Sequence, residues 1–141
     1  MTRRSRAREV VLQVLFQDDL NPSHSAQDSE DFVRSRLRGS ELVEFARSLV
    51  SGVRRNRPEL DALLARTAEN WRLERMAATD RNILRLGAYE ILYSETPGRV
   101  AINEAVELAK RFGAANSAQF VNGILDRFLA GHRHDDKPAE D

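Results

Sequence analysis

The sequence predicts an all-α protein of about seven helices. Three observations lead there. Apolar residues recur at the i, i+3, i+4, i+7 spacing of one helix face along nearly the whole chain. The breaks between these stripes are short and made of Gly, Pro, Ser and Asn. No stretch shows the period-two alternation of a strand. The first stripe is Ala7, Val10, Val11, Val14 and Leu15, and "NPSHS" after Asp19 ends it. A weaker helix over residues 27–38 turns Phe32, Val33 and Leu37 inward, and Gly39 closes it. Ser40 then caps a helix carrying Leu42, Phe45, Ala46, Leu49, Val50 and Val53. "NRPE" reads as a new start, with Asn56 as cap, Pro58 in the first turn and Glu59 three residues after the cap. Leu60, Leu63, Leu64 and Ala68 form the stripe that follows and lead to Trp71.

The clearest helix is "AATDRNILRLGAYEILYSETPG". Thr79 or Asp80 caps it, and Ile83, Leu84, Gly87, Ala88 and Ile91 make one broad face. Gly87 and Ala88 are small enough there for another helix to approach closely. "VAINEAVELAKRFG" groups Ile102, Ala105, Val106, Ala109 and Phe112 and ends on Gly113, a good residue after a helix. Asn116 or Ser117 caps a last helix carrying Val121, Ile124, Leu125 and Phe128. Residues 1–130 read as a single domain by length. Residues 131–141, "GHRHDDKPAED", carry no stripe and read as a disordered polar tail.

Composition narrows the function classes. Hydrophobic residues make up 41% and charged residues 31%, which suits a folded protein. There is no cysteine, hence no disulfide framework or thiolate metal site, and a cytoplasmic setting fits. No apolar run spans a membrane or serves as a signal peptide. No acid–base pair, nucleophile motif or phosphate-cradling glycine loop stands out, so the chain reads as no enzyme, with no cofactor and no metal. "HRH" at 132–134 spaces its histidines so that they diverge, and a solvated tail is the better reading.

Charge is polarised although the formal net charge is zero. Arg3, Arg4, Arg6 and Arg8 crowd the start without an acid among them, while the tail holds Asp135, Asp136, Glu140 and Asp141. The first helix also has a second apolar side. With Val11 at zero and about 100° per residue, Phe16 falls about 140° away, on the side of Leu12 and Leu20. Phe120 sits about 140° from Leu125 in the last helix. Each Phe is either a core residue touching a second layer or a platform for an unstacked base. Aromatics beside arginines are what single-stranded RNA recognition requires.

Four blocks in order, "AREVVLQVLFQ" after the arginines, "TDRNILRLGAYEILY", "VAINEAVELAKRFG" and "FVNGILD", resemble the NusB family of transcription antitermination factors. The resemblance runs from the arginine arm to about Leu129. It implies two three-helix bundles packed around a central N-terminal helix. It implies binding of the boxA RNA of nascent ribosomal-RNA transcripts together with the ribosomal protein NusE, so that RNA polymerase reads through terminators. A homodimer is a further association state in the family. On this resemblance Arg3, Arg4, Arg6 and Arg8 meet RNA phosphates, and Phe16 lies near the RNA. Phe120 stacks a base, and Asn116 stands in the loop before it, where the family often has an acid. Lys110 and Arg111 add phosphate contacts, and Asp80 lies toward the ribosomal-protein partner or the RNA seam. The alternatives are a helical DNA-binding module or a protein-interaction scaffold without specific RNA recognition.

Overall fold

The computed structural model describes residues 2–132. It contains six α-helices and one short 3₁₀ turn: α1 (Arg3–Leu20), α2 (Ala26–Arg36), α3 (Ser40–Ala68), the 3₁₀ turn Leu73–Arg75, α4 (Ala78–Tyr93), α5 (Gly98–Phe112) and α6 (Ser117–Gly131). The chain forms two compact units, Met1–Arg55 and Asn56–Asp141, and α3 runs through the division. Gly131 ends α6 and His132 follows it; residues 133–141 of the expected polar tail, and with them the second histidine of "HRH", lie outside the described residues.

The count differs from the expected seven because α3 is one helix. Pro58 sits inside it rather than at a start. Pro58 has no N–H to offer the carbonyl of Arg54, and an interior proline costs about 3 kcal/mol. The apolar stripe keeps phase across it. Val53 and Leu60 are seven residues apart, two helical turns, and both are buried, as are Leu49, Leu64 and Ala68. Burial of that continuous stripe outweighs the local break.

In the first unit, Thr2 caps α1 by accepting the Ser5 N–H at 3.0 Å, and Ser25 caps α2 by accepting the Asp28 N–H at 3.0 Å. Ala7, Val10, Val11, Val14 and Leu15 are buried, and so is Leu12 on the second side of α1. That second side opens along the helix: Phe16 is half-buried and Leu20 is exposed. One polar knot ties α1, α2 and α3. Arg54 donates to both carboxylate oxygens of Asp18 at 2.7 Å and to the Ser29 hydroxyl at 3.1 Å, while His24 Nδ1 lies 3.0 Å from Asp18. Burial pushes the Asp18 carboxyl up, but the hydrogen bonds and charges of Arg54 and His24 outweigh it and hold it below the ordinary carboxylate range.

In the second unit, α4, α5 and α6 pack against one another pairwise. A Cβ on Gly87 would come within 2.7 Å of a Leu125 methyl and 3.5 Å of Ala105, so this glycine sets the close approach expected of it. α4 begins earlier than its expected Thr79 or Asp80 cap. Ala77 precedes it and no side chain caps it. The reason is tertiary: Arg81 donates to the carbonyls of Leu73 and Met76 at 2.9 and 3.0 Å and docks the 3₁₀ turn onto the helix start. Arg85, buried, donates to both carboxylate oxygens of Asp61 on α3 at 2.7 and 2.9 Å, and Tyr93 donates to Glu59.

Gly113 ends α5 as expected, but with extended backbone (φ −91°) rather than a left-handed cap. Space, not torsion, requires glycine there. A Cβ would lie 2.5 Å from Ser117 Cβ and 2.7 Å from the Ala109 carbonyl oxygen. Buried Ser117 accepts the Ala114 N–H at 2.8 Å and closes the turn between α5 and α6. Phe112 departs from its expected inward place. It is 39% exposed, because Ala101, Ile102, Ala105, Leu108 and Ala109 fill the buried face.

Gly113→Ala is expected to lower stability by about 1–3 kcal/mol through overpacking. Gly123→Ala, where an added Cβ meets nothing within 4 Å, is expected to be neutral or stabilising by a few tenths of a kcal/mol. Urea unfolding of the two variants checks the contrast. Asp18→Asn is expected to cost on the order of 1–2 kcal/mol at pH 7, the low end for hydrogen bonds to a charged group because solvent reaches Arg54. The folded carboxyl is depressed, so its stabilisation is present above its unfolded pKa and lost as pH falls through the folded one. The gap between wild type and variant therefore closes as pH drops below about 4 in pH-resolved unfolding curves.

Candidate nucleic-acid interface

The arginine-rich start of α1 divides by exposure. Arg3 and Arg4 are exposed, Arg6 is half-exposed, and Arg8 is only 4% exposed. Helix geometry explains the split. Arg4 and Arg8 lie one turn apart on one side, and both guanidinium groups sit over the Phe45 ring of α3, at 4.5 and 5.2 Å from its centroid. Arg8 thus departs from the exposed arm the sequence predicts: it is packed within the unit beneath Arg4. Arg6 is tied to buried Glu9 at 3.1 Å. Arg3 reaches the Arg38 carbonyl at 3.5 Å, and Gly39, at φ +95°, turns the chain beside it.

These residues frame an open cleft of about 710 Å³ lined by Arg3, Arg4, Leu42, Phe45 and Ser48, with Glu41 and Glu44 along one wall. Arg47 partly neutralises that wall through its 3.1 Å pair with Glu44. Two exposed guanidinium groups, that of Arg4 lying over a half-buried aromatic ring, offer bidentate phosphate contacts. The carboxylates supply acceptors for exocyclic amines.

The second unit carries the remaining residues expected to contact RNA. Lys110 and Arg111 form the basic last turn of α5. Lys110 is paired with Glu107 at 3.4 Å and Arg111 lies over the Phe112 ring at 5.7 Å. The Gly113 turn carries the chain from this basic end directly into Asn116, which is exposed and makes no side-chain cap bond. The Asn116 carbonyl accepts the Phe120 N–H at 3.1 Å, so the amide and the ring belong to one turn. Phe120 is half-buried and meets Trp71 edge to face, with centroids 5.1 Å apart and planes at 76°. Asp80 lies in the first turn of α4, partly buried, and its Oδ1 has no hydrogen-bond partner among the described residues.

Phe45 and Trp71 are absent from the sequence-derived site. Phe45 belongs to an apolar stripe and reads as core. Trp71 had a usable signal: a lone tryptophan in a polar break, between Asn70 and Arg72, is an unusual place for so much apolar surface. Among the described residues, no three His, Asp or Glu side chains are grouped to hold a metal ion.

These helices define an all-α protein. The NusB family model matches residues 5–130, and the chain belongs to the NusB family. It is 46% identical over 132 residues to the transcription antitermination protein NusB of Myxococcus xanthus, covering 90% of this chain and 94% of that one. T. maritima NusB superposes with a TM-score of 0.85 at 38% identity, covering 97% of this chain and 96% of that one. A structure of the antitermination factors NusB and NusE in complex with dsRNA contains a chain of the same fold, with a TM-score of 0.83, 24% identity and coverage of 93% and 98%. The protein is a non-enzymatic factor of transcription antitermination.

Proposed function

We propose that the chain binds the boxA segment of nascent ribosomal-RNA transcripts in the bacterial cytoplasm. It does so together with NusE, and the assembly acts on RNA polymerase. The observation that carries this reading is the pair of exposed guanidinium groups, Arg3 and Arg4, held beside Phe45 at an open cleft. The NusB of the related structure is in complex with NusE and dsRNA. Arg3 and Arg4 take phosphates, and Arg6 adds charge at the rim. Arg8 acts from beneath, fixing the Phe45 ring. Lys110 and Arg111 take phosphates in the second unit, Asn116 reads a base edge, and Phe120 and Phe16 offer ring faces. Asp80, in the first turn of α4, faces NusE. Phosphate contacts give affinity without sequence information, so the amide and the rings supply discrimination.

Anisotropy of a labelled boxA strand, titrated with the full chain at several salt concentrations, tests the reading. Each phosphate contact on a single strand contributes about 0.7 to the slope of log K against log salt, so Arg3→Ala with Arg4→Ala is expected to reduce the slope by about 1.4. Binding weakens similarly for boxA and scrambled strands. An unchanged slope, or full competition by duplex DNA, contradicts it; the latter is the behaviour of a helical DNA-binding module. Adding NusE is expected to tighten boxA binding more than scrambled binding.

A further inference from the structure

Trp71 is the sole tryptophan of the chain, and 56% of it is exposed. So large an apolar surface left in water is costly, and tryptophan is ordinarily mostly buried. The indole N–H has no hydrogen-bond partner among the described residues, and the ring's one aromatic neighbour is Phe120. Yet Trp71 is held in place. Glu69 adopts a left-handed conformation, φ +45°, which swings the chain out of α3. A non-glycine residue is strained there. The Trp71 N–H bonds the Ala68 carbonyl at 3.1 Å. Two residues on, Leu73 is buried and its carbonyl is gripped by Arg81 at 2.9 Å. A strained turn followed by an anchored one fixes the ring outside the core, and the 76° edge contact with Phe120 sets its tilt.

The surroundings select what covers the ring. The first turn of α6, which carries Phe120, has no acid, and the turn before it is reached from the basic end of α5. Asn70, Asn116 and Gln119 are exposed amides, each with donors and acceptors suited to base edges. Arg72 is exposed beside Trp71, while Glu69 and Glu74 keep the loop from being a plain cationic patch. A flat, polyanionic ligand with hydrogen-bonding edges fits all of these features.

Resting on the RNA reading, we infer that Trp71 is a nucleobase-stacking site: one unpaired RNA base lies on the open face of its indole, and Phe120 is the ring that positions it. Because Trp71 is the sole tryptophan, its emission reports on this site alone. The full chain is titrated with unlabelled single-stranded RNA while indole emission is read, and in parallel with the end-labelled strand while anisotropy is read. Emission is expected to fall in step with the anisotropy rise. Trp71→Ala is expected to bind about 10-fold or more weakly, Trp71→Phe to recover most of the loss, and both to melt within a few degrees of wild type. If anisotropy rises while emission stays flat and Trp71→Ala binds like wild type, the stacking site is refuted and the RNA reading stands. If anisotropy never rises, the RNA reading itself has failed and the site with it. If emission responds to NusE alone and not to RNA, Trp71 is a protein contact and the inference is overturned.

Discussion

Two guanidinium groups share one phenylalanine ring, and the first unit is organised around that contact. α1 has to supply core: Ala7, Val10, Val11, Val14 and Leu15 are all buried. It also begins with cations and has no acid in its first turn. Positive charge at a helix N-terminus opposes the dipole, and like charges at i, i+4 repel, each by a few tenths to about 1 kcal/mol. Local rules therefore disfavour this helix start. Phe45 offsets part of the cost, since a cation over an aromatic face gains roughly 0.5–2 kcal/mol depending on exposure. Arg8 is stabilised as a packed cation, Arg6 is stabilised by Glu9, and Arg3 and Arg4 are left facing solvent. A helix start kept against its own electrostatics is a mark of use, because violations of local preference concentrate at functional sites.

The second unit reaches the same end by close packing. Gly87 lets α4 approach Leu125 of α6 and Ala105 of α5, Gly98 makes room for Leu129, and Gly113 makes room for Ser117. These contacts leave α5, α6 and their connecting turn little freedom. Asn116 and Phe120 are therefore presented on a stiff base, which the proposed RNA contact requires. Arg81 does the same for the loop bearing Trp71. Ring contacts placed on rigid backbone lose little entropy on binding, so more of the stacking energy appears as affinity.

Much of the fold is legible in the sequence, because helix periodicity directly reports which side is buried. The two-faced first helix shows itself through Leu12 and Phe16, and Gly87 through its place on an apolar face. The misreadings share one cause: tertiary burial overriding a local signal. Pro58 looks like a helix start, yet the stripe from Val53 to Leu60 runs through it in phase. Thr79 and Asp80 look like caps, yet Arg81 docking begins α4 earlier. The site was legible as residue types rather than as exposure. Periodicity places Phe45 and Phe112 on apolar stripes but cannot tell how far neighbours cover them. It cannot show that, of two arginines one turn apart over the same ring, Arg8 is buried while Arg4 stays exposed.

The proposed RNA contacts lie at the exposed start of α1 and at the aromatic corner of Trp71 and Phe120. Photocrosslinking of a 4-thiouridine-substituted single strand to the full chain, followed by peptide mapping, tests this most directly. Adducts are expected within residues 3–8 or on Phe45, with a second set within residues 70–75 or 116–120. Adducts confined to other surfaces, such as the exposed face of α2, would contradict it.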